Sequence, residues 1–208
     1  MTITITGDDI TVNCCGCTAN PPAAAPTVLR AEDVYGLSCA TLLPEHVNGA
    51  APLGRQMVCA KAVLPAGKAI THLGVLLSSA AEGTRSGEAR LAVYSEAGGL
   101  VAATANDPEL FMTSGWSYSP LDAPVSAEAE DRMIWLTALV PQYSGKQPGF
   151  IMLENPIYSE PDIYNPNGRR TFTHPGLTQL PTDIGGDYPN LTVLVPIVGV
   201  DLTENSSI

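Results

Sequence analysis

Three of four consecutive residues near the start of the chain are cysteines: Cys14, Cys15 and Cys17. Thiolates bind zinc strongly, and a further cysteine or histidine could complete a tetrahedral site. Structural zinc sites usually combine two closely spaced ligand pairs, however, and the sequence holds no second cysteine pair. We therefore expect no metal and no cofactor. Small packing residues or an intersubunit contact are the favoured interpretations of these cysteines.

The other side chains that could do chemistry do not form a recognisable catalytic pattern. The three histidines lie far apart in the sequence: His46, His72 and His174. Ser119 stands where a nucleophile elbow around Ser117 would need glycine. The acidic run Glu128 to Asp131 is typical of a solvated turn before a strand. The sequence therefore predicts a protein that is not an enzyme.

Aromatic side chains offer recognition chemistry, because an aromatic face can stack on the apolar face of a sugar ring. Trp135 is flanked by Ile134 and Leu136 in the most continuously apolar run of the chain, and we expect it in the core. Trp116 follows a glycine at the start of a predicted strand. Its sequence context leaves a core position and a rim position equally open.

A long segment, residues 155–190, holds six prolines and three tyrosines but little apolar periodicity. It predicts a long loop, or two loops around a short strand at residues 170–173. Its first part carries the candidate binding residues, which combine tyrosine rings with hydrogen-bonding groups: Tyr158, Asp162, Tyr164, Asn165 and Asn167. They could contact a carbohydrate or pack on a neighbouring subunit.

Charge and hydropathy exclude two classes of protein. Ten basic residues against 21 acidic ones give a net charge of -11, which opposes binding to nucleic acid. No apolar stretch approaches the roughly 20 residues of a membrane span. The first residues lack the features of a secretory signal, so we expect synthesis in a cytosol and reduced thiols.

Runs of β-prone residues separated by turns fill most of the chain and predict an all-β protein. Thr and Ile alternate at the start, which predicts a short hairpin or edge strand with Ile3, Ile5, Ile10 and Val12 as assembly positions. The proline-rich residues 20–26 predict a linker, and residues 27–43 are the only plausible helix. Eight strands are predicted after Pro52: residues 56–64, 69–78, 88–95, 100–105, 115–120, 132–140, 149–153 and 191–202.

The order of four sequence segments within residues 56–153 resembles a known family. These are Pro65 to Leu77, Ala89 to Thr104, Gly115 to Val125 and Arg132 to Leu139. They are similar to the jelly-roll domain of virion proteins from tailed bacteriophages, especially minor tail proteins of phages that infect actinobacteria. The resemblance implies a jelly-roll-like antiparallel β-sandwich, here residues 53–208. It does not cover residues 1–52, which the short β element and the proline-rich linker predict to be an extended N-terminal arm.

The resemblance implies a noncatalytic structural component of a phage virion, a minor tail or tail-tip protein assembled in the host cytoplasm. We expect other virion proteins as partners and a homo-oligomer. A capsid decoration protein suits an arm and a sandwich equally well. Because related sandwiches also bind sugars, a carbohydrate-binding module is the alternative from another class.

Overall fold

The computed structural model describes residues 2–6, 9–13, 37–41, 49–154, 171–185, 193–194 and 197–202. Regular structure in these residues consists of strands alone, and the antiparallel sheets form a sandwich-like arrangement. The all-β prediction is therefore confirmed. The chain divides into two compact units, Met1–Arg30 and Ala31–Ile208.

The first unit contains a two-stranded antiparallel hairpin. Strand β1 spans Thr2–Thr6 and strand β2 spans Asp9–Asn13. The Thr and Ile alternation produces these strands because β-branched residues favour extended backbone.

The described strands of the second unit are short at its start and longest in its middle. In chain order they are β3 Cys39–Ala40, β4 Gly49–Pro52, β5 Gln56–Leu64, β6 Ile70–Ser79, β7 Arg85–Ser86, β8 Arg90–Ser95, β9 Leu100–Ala103, β10 Gly115–Val125, β11 Arg132–Val140, β12 Gln142–Tyr143, β13 Gly149–Glu154, β14 Thr171–Pro175, β15 Val193–Leu194 and β16 Ile197–Val200.

The strands form two large sheets. One is five-stranded in the order β14-β5-β11-β8-β9. The other is seven-stranded, with β6 at its centre: β10 pairs along one edge of β6, while β16 and β13 follow each other along the opposite edge. Strands β3 and β4 pair outside β16 and β13. A separate two-stranded ribbon joins β12 to β7.

The main core lies between the two large sheets. Even-numbered residues of β11, such as Leu136 and Ala138, meet Leu73 and Val75 of β6 and Phe150 of β13 in one buried cluster. Phe111, from the loop before β10, packs its ring 5.7 Å from that of Phe150, centroid to centroid. Alternate residues of these strands therefore face this core.

A second buried cluster covers the other face of the five-stranded sheet. The odd-numbered side chains Trp135 and Leu139 of β11 pack there with Tyr94 and Phe172. The segment that follows β14 supplies the cover, with Leu177, Leu180 and Ile184. Its backbone is fixed to the β8–β9 turn, because the Ile184 amide donates to the Gly98 carbonyl at 2.8 Å.

Strand positions agree closely with the sequence predictions. The predicted strands 56–64 and 132–140 coincide with β5 and β11, and a turn between the predicted strands 88–95 and 100–105 joins β8 to β9, with Gly98 at a φ of 102°. The helix predicted at residues 27–43 is wrong where the structure describes it, because Cys39–Ala40 is a strand.

Strands β3 and β4 lie within residues 1–52, which were predicted as the arm, yet they pair in the seven-stranded sheet. That sheet therefore begins before residue 53. The two-residue and four-residue strands carry too few alternating positions to be recognised from the sequence.

Candidate assembly and binding surfaces

The predicted assembly positions of the arm fall together on the hairpin. In its register Ile3 lies opposite Val12 and Ile5 opposite Ile10. Since alternate residues of a strand share a face, these four apolar positions occupy one face of the ribbon and the threonines the other. The hairpin is therefore amphipathic. An isolated two-stranded ribbon is marginally stable in water, so its apolar face favours a contact with another surface.

A pair of aromatic rings marks the outer face of the seven-stranded sheet. Trp116 and Tyr118 alternate along β10, and their ring centroids lie 5.7 Å apart with planes inclined by 23°. Trp116 is partly buried against Val198, Val200 and Leu37, whereas Tyr118 is 45% exposed. Trp116 therefore lies at the rim of a small cluster, and Tyr118 extends the aromatic surface into solvent.

A glycine on the neighbouring strand holds Tyr118 close to the sheet. Gly74 lies directly opposite Tyr118, and a β-carbon at Gly74 would lie 2.4 Å from a ring carbon of Tyr118. The ring therefore occupies space that any side chain at residue 74 would fill. Partial burial raises the pKa of the Tyr118 hydroxyl above its ordinary value of 10.0.

Tyr118 was missed in the sequence, and the missed signal is its alternation with Trp116 and Pro120. Residues 116, 118 and 120 share the outer face, while Ser119 and Leu121 are buried on the inner one. This spacing of two would have placed Trp116 and Tyr118 on a common face of a strand. Which face is covered depends on strands distant in sequence, so the exposure of Tyr118 could not be predicted.

The predicted binding loop lies outside the described residues. This holds for every one of its candidates: Tyr158, Asp162, Tyr164, Asn165 and Asn167. Their role stays a prediction. The short strand predicted within the same segment is present as β14, Thr171–Pro175.

Cysteines and histidines are not gathered into a metal centre in the part of the chain that the structure describes. No group of three potential ligands lies together there. Cys39 and Cys59 are buried free thiols, and burial raises the pKa of Cys59 to about 12, against a smaller lowering by the Thr137 hydroxyl, which donates to its sulfur. Cys14, Cys15, Cys17 and His46 lie outside the described residues, so the expectation about zinc stays a prediction.

The predicted acidic turn is held by local bonds. Glu128 forms an ion pair with Arg132, four residues later on β11, and an Asp131 carboxylate oxygen accepts a hydrogen bond from the Ala66 amide at 2.8 Å. These carboxylates are bound to the strand start and to the neighbouring turn. They brace the entry to β11.

A pocket of about 160 Å³ opens beside Trp135, between the Glu96–Gly98 turn and Ile184–Gly185. The Trp135 indole donates to the Glu96 carbonyl at 3.3 Å, and its ring meets Phe172 edge-on at 5.1 Å. Trp135 is only 8% exposed, which confirms the predicted core position. The pocket is a gap in the cover of the five-stranded sheet and brings no group of reactive side chains together.

A scan against protein-family models and a search of curated proteins each found no match to the chain. Among the described residues, no helix is both long and apolar enough to cross a membrane.

Proposed function

We propose that this chain is a noncatalytic structural component of a bacteriophage virion, a minor tail or tail-tip protein. The proposal joins two lines of support. Residues 56–153 resemble jelly-roll virion proteins in the order of their motifs, and the chain folds as an antiparallel sandwich that is compatible with a jelly-roll. Other virion proteins and further copies of this chain are its proposed partners, and the virion is its proposed location.

The amphipathic hairpin is the observation that carries this proposal. It belongs to a compact unit, Met1–Arg30, separate from the unit that holds the sandwich. Its register gathers Ile3, Ile5, Ile10 and Val12 on one face. A short ribbon of this kind gains stability mainly by packing on another surface. An anchoring arm on a virion protein has this requirement.

The anchor is tested by charging one face of the hairpin in phage that carry the altered gene. Ile3→Asp with Ile5→Asp places two carboxylates on the apolar face and should abolish incorporation into particles. The matched control, Thr2→Asp with Thr4→Asp, adds the same charge to the opposite face and should leave the copy number near normal. Normal incorporation of the isoleucine variant would show that this face is not an anchor.

Position in the particle is decided by labelling virions with an antibody against the protein. Label at the tail or tail tip supports the proposal, whereas label on the head supports the capsid decoration protein. Absence of label from purified particles would contradict a virion role altogether.

A carbohydrate-binding module is the second candidate, and the Trp116–Tyr118 pair favours it. Two neighbouring rings on a sheet face, one of them 45% exposed, match the requirement for stacking on sugar rings. Trp116→Ala with Tyr118→Ala should then abolish binding of the protein to host-surface glycans.

A control for the glycan test lies on the other sheet. Leu100 and Val101 of β9 are 39% and 47% exposed, so Leu100→Ala with Val101→Ala removes apolar surface of similar exposure without touching the aromatic pair. Equal glycan binding by both double variants and the parent protein would eliminate this candidate.

A further inference from the structure

The backbone of β16 fixes the direction of hydrogen bonding across the seven-stranded sheet. The Ser38 amide donates to the Gly199 carbonyl at 2.8 Å, and the Thr41 amide donates to the Ile197 carbonyl at 2.9 Å. Residues 197 and 199 therefore turn their peptide groups toward β3. Because this direction alternates along a strand, residues 198 and 200 turn theirs toward β6.

The same alternation carries across β6 to its other edge. Val198 lies opposite Gly74, and Val200 lies opposite His72, so these even-numbered residues of β6 bond toward β16. The odd-numbered residues of β6 then bond toward β10.

The direction of hydrogen bonding also alternates along strand β10. Ser117 and Ser119 lie opposite odd-numbered residues of β6 and bond inward to that strand. Trp116 and Tyr118 consequently turn their amides and carbonyls to the outer edge of the sheet. Within the described residues, no backbone hydrogen bond reaches the amides of Trp116 and Tyr118.

This open edge has a defined length. It begins at Gly115 and ends where Pro120, the next outward-facing position, has no amide hydrogen to donate. An isolated bridge between Thr104 and Leu121 follows. In the part of the chain that the structure describes, no strand pairs with the outer edge of residues 115–119, and such an edge is a template for an added strand.

The hairpin provides a strand that fits this edge. β1 is also five residues long, and β2 pairs with only one of its edges. Thr2–Thr6 contains no charged side chain, whereas β2 begins with Asp9. Asp122, on β10 just beyond the open edge, forms an ion pair with Arg90 at 3.2 Å. β1 would add no further carboxylate beside this pair, whereas β2 would add that of Asp9.

We propose that β1 of one copy adds to the open edge of β10 in a second copy of this chain and extends its seven-stranded sheet. The proposal rests on the proposed structural role, because it names the partner surface of the arm. Ile3 and Ile5 of the added strand then share the face of Trp116 and Tyr118, where aromatic and β-branched residues pair well across strands. Repeated head-to-tail addition gives a ring or a filament, and reciprocal addition gives a two-fold dimer.

Proline at residue 118 tests the backbone contact. Tyr118→Pro deletes the outward amide hydrogen and leaves the inward bonds of Ser117 and Ser119 intact, and Pro120 shows that β10 accepts proline at an outward-facing position. In sedimentation equilibrium of the full chain we expect self-association to weaken by roughly tenfold or more. Tyr118→Ala removes the same ring but keeps the amide hydrogen, and should change association only slightly.

A mixing experiment tests the pairing of donor and acceptor. Tyr118→Pro protein has an intact hairpin, and Ile3→Asp, Ile5→Asp protein has an intact edge. At a concentration where the parent protein associates but neither variant does, each variant alone should be monomeric, and together they should form a one-to-one complex of twice the 21.7 kDa chain mass. If Tyr118→Pro fails to fold by circular dichroism, Trp116→Pro takes its place, since its amide also faces outward.

Three outcomes overturn the proposal: a parent protein that stays monomeric at all concentrations, undiminished association of the proline variant, or mutants that do not combine. Equal losses from Tyr118→Ala and Tyr118→Pro would also overturn it, because loss of the ring would then account for the whole effect and the amide hydrogen for none of it. Solution assembly tests this inference alone. Particle incorporation tests the virion role, so the two can fail separately.

Discussion

The two large sheets of the sandwich use their outer faces differently. The five-stranded sheet is buried on both faces along its central strand β11, because the segment after β14 packs Leu177, Leu180 and Ile184 over it. The seven-stranded sheet has only a small cluster on its outer face, which ends at the exposed ring of Tyr118. Stability is therefore concentrated in one sheet, and surface for contacts remains on the other.

The largest difference between the sheets should appear when their tryptophans are removed. Trp135 is buried with its ring edge-on to Phe172, and the Lys61 ammonium lies 5.1 Å from its ring centroid. Trp135→Ala should lower the free energy of unfolding by about 3 to 5 kcal/mol, the range for emptying a large aromatic site. Trp116→Ala, on the partly open face, should cost about 1 kcal/mol.

Urea unfolding of both variants, followed by circular dichroism, measures this contrast. A loss below about 1 kcal/mol for Trp135→Ala would mean that the cover over the five-stranded sheet contributes little. The distinction between a stabilising sheet and a contact sheet would then fail.

Alkaline pH should weaken the covered sheet through Cys59. Its folded-state pKa of about 12 lies above the ordinary value of 9.0, so the unfolded chain loses this proton first. The contribution of Cys59 to stability is complete below pH 9 and falls between pH 9 and 12, by about 1.4 kcal/mol per pH unit.

Unfolding measured from pH 8 to 11 in the parent and in Cys59→Ala isolates this slope, because all other titrating groups are common to both proteins. We expect the alanine variant to have a flatter dependence on pH. Identical slopes would place the thiol in contact with water, and the covered face would then be open.

The smallest effect is expected at Gly74, under the open aromatic surface. Gly74→Ala puts a methyl group where the Tyr118 ring lies, but that ring can move into solvent. The cost should be about 1 kcal/mol, at the low end for overpacking. As the ring becomes exposed, its pKa should fall toward 10.0, which a spectroscopic phenol titration would detect.

The same substitution in a Tyr118→Ala background serves as the control. Without the ring, the methyl group meets mainly a side-chain carbon of Val198 at 3.1 Å, so the penalty should shrink. An unchanged penalty would locate the strain in the backbone of β6 and not in the aromatic contact.

The sequence predicted the strands well because their cause is local. The run Arg132–Val140 is apolar at almost every position, and it proves to be a strand buried on both faces, with Trp135 on the second of them. The cover over Trp135 could not be predicted, since Leu177, Leu180 and Ile184 are irregularly spaced among polar residues. Contacts between segments distant in sequence produce no hydrophobic periodicity that could be recognised in either segment.

The candidate surfaces show the same limit. Alternation at the start of the chain was enough to predict Ile3, Ile5, Ile10 and Val12 as assembly positions, and the hairpin register puts the four positions on one face. The open edge of β10 followed only from hydrogen bonds two strands away, between β3 and β16. No pattern within residues 115–120 indicates whether another strand pairs with the outer edge of β10.

One edge of β6 pairs partly with β13 and partly with β16, so this edge can be completed only late in protein synthesis. All four residues of Ile197–Val200 are buried, and they pair with β6 from a position more than a hundred residues later in the sequence. A ribosome must therefore have released residue 200 before β6 can be closed on that side. A chain cut short before this point keeps a long unpaired strand, which proteases or aggregation would remove. Only chains translated through residue 200 would then be available for assembly.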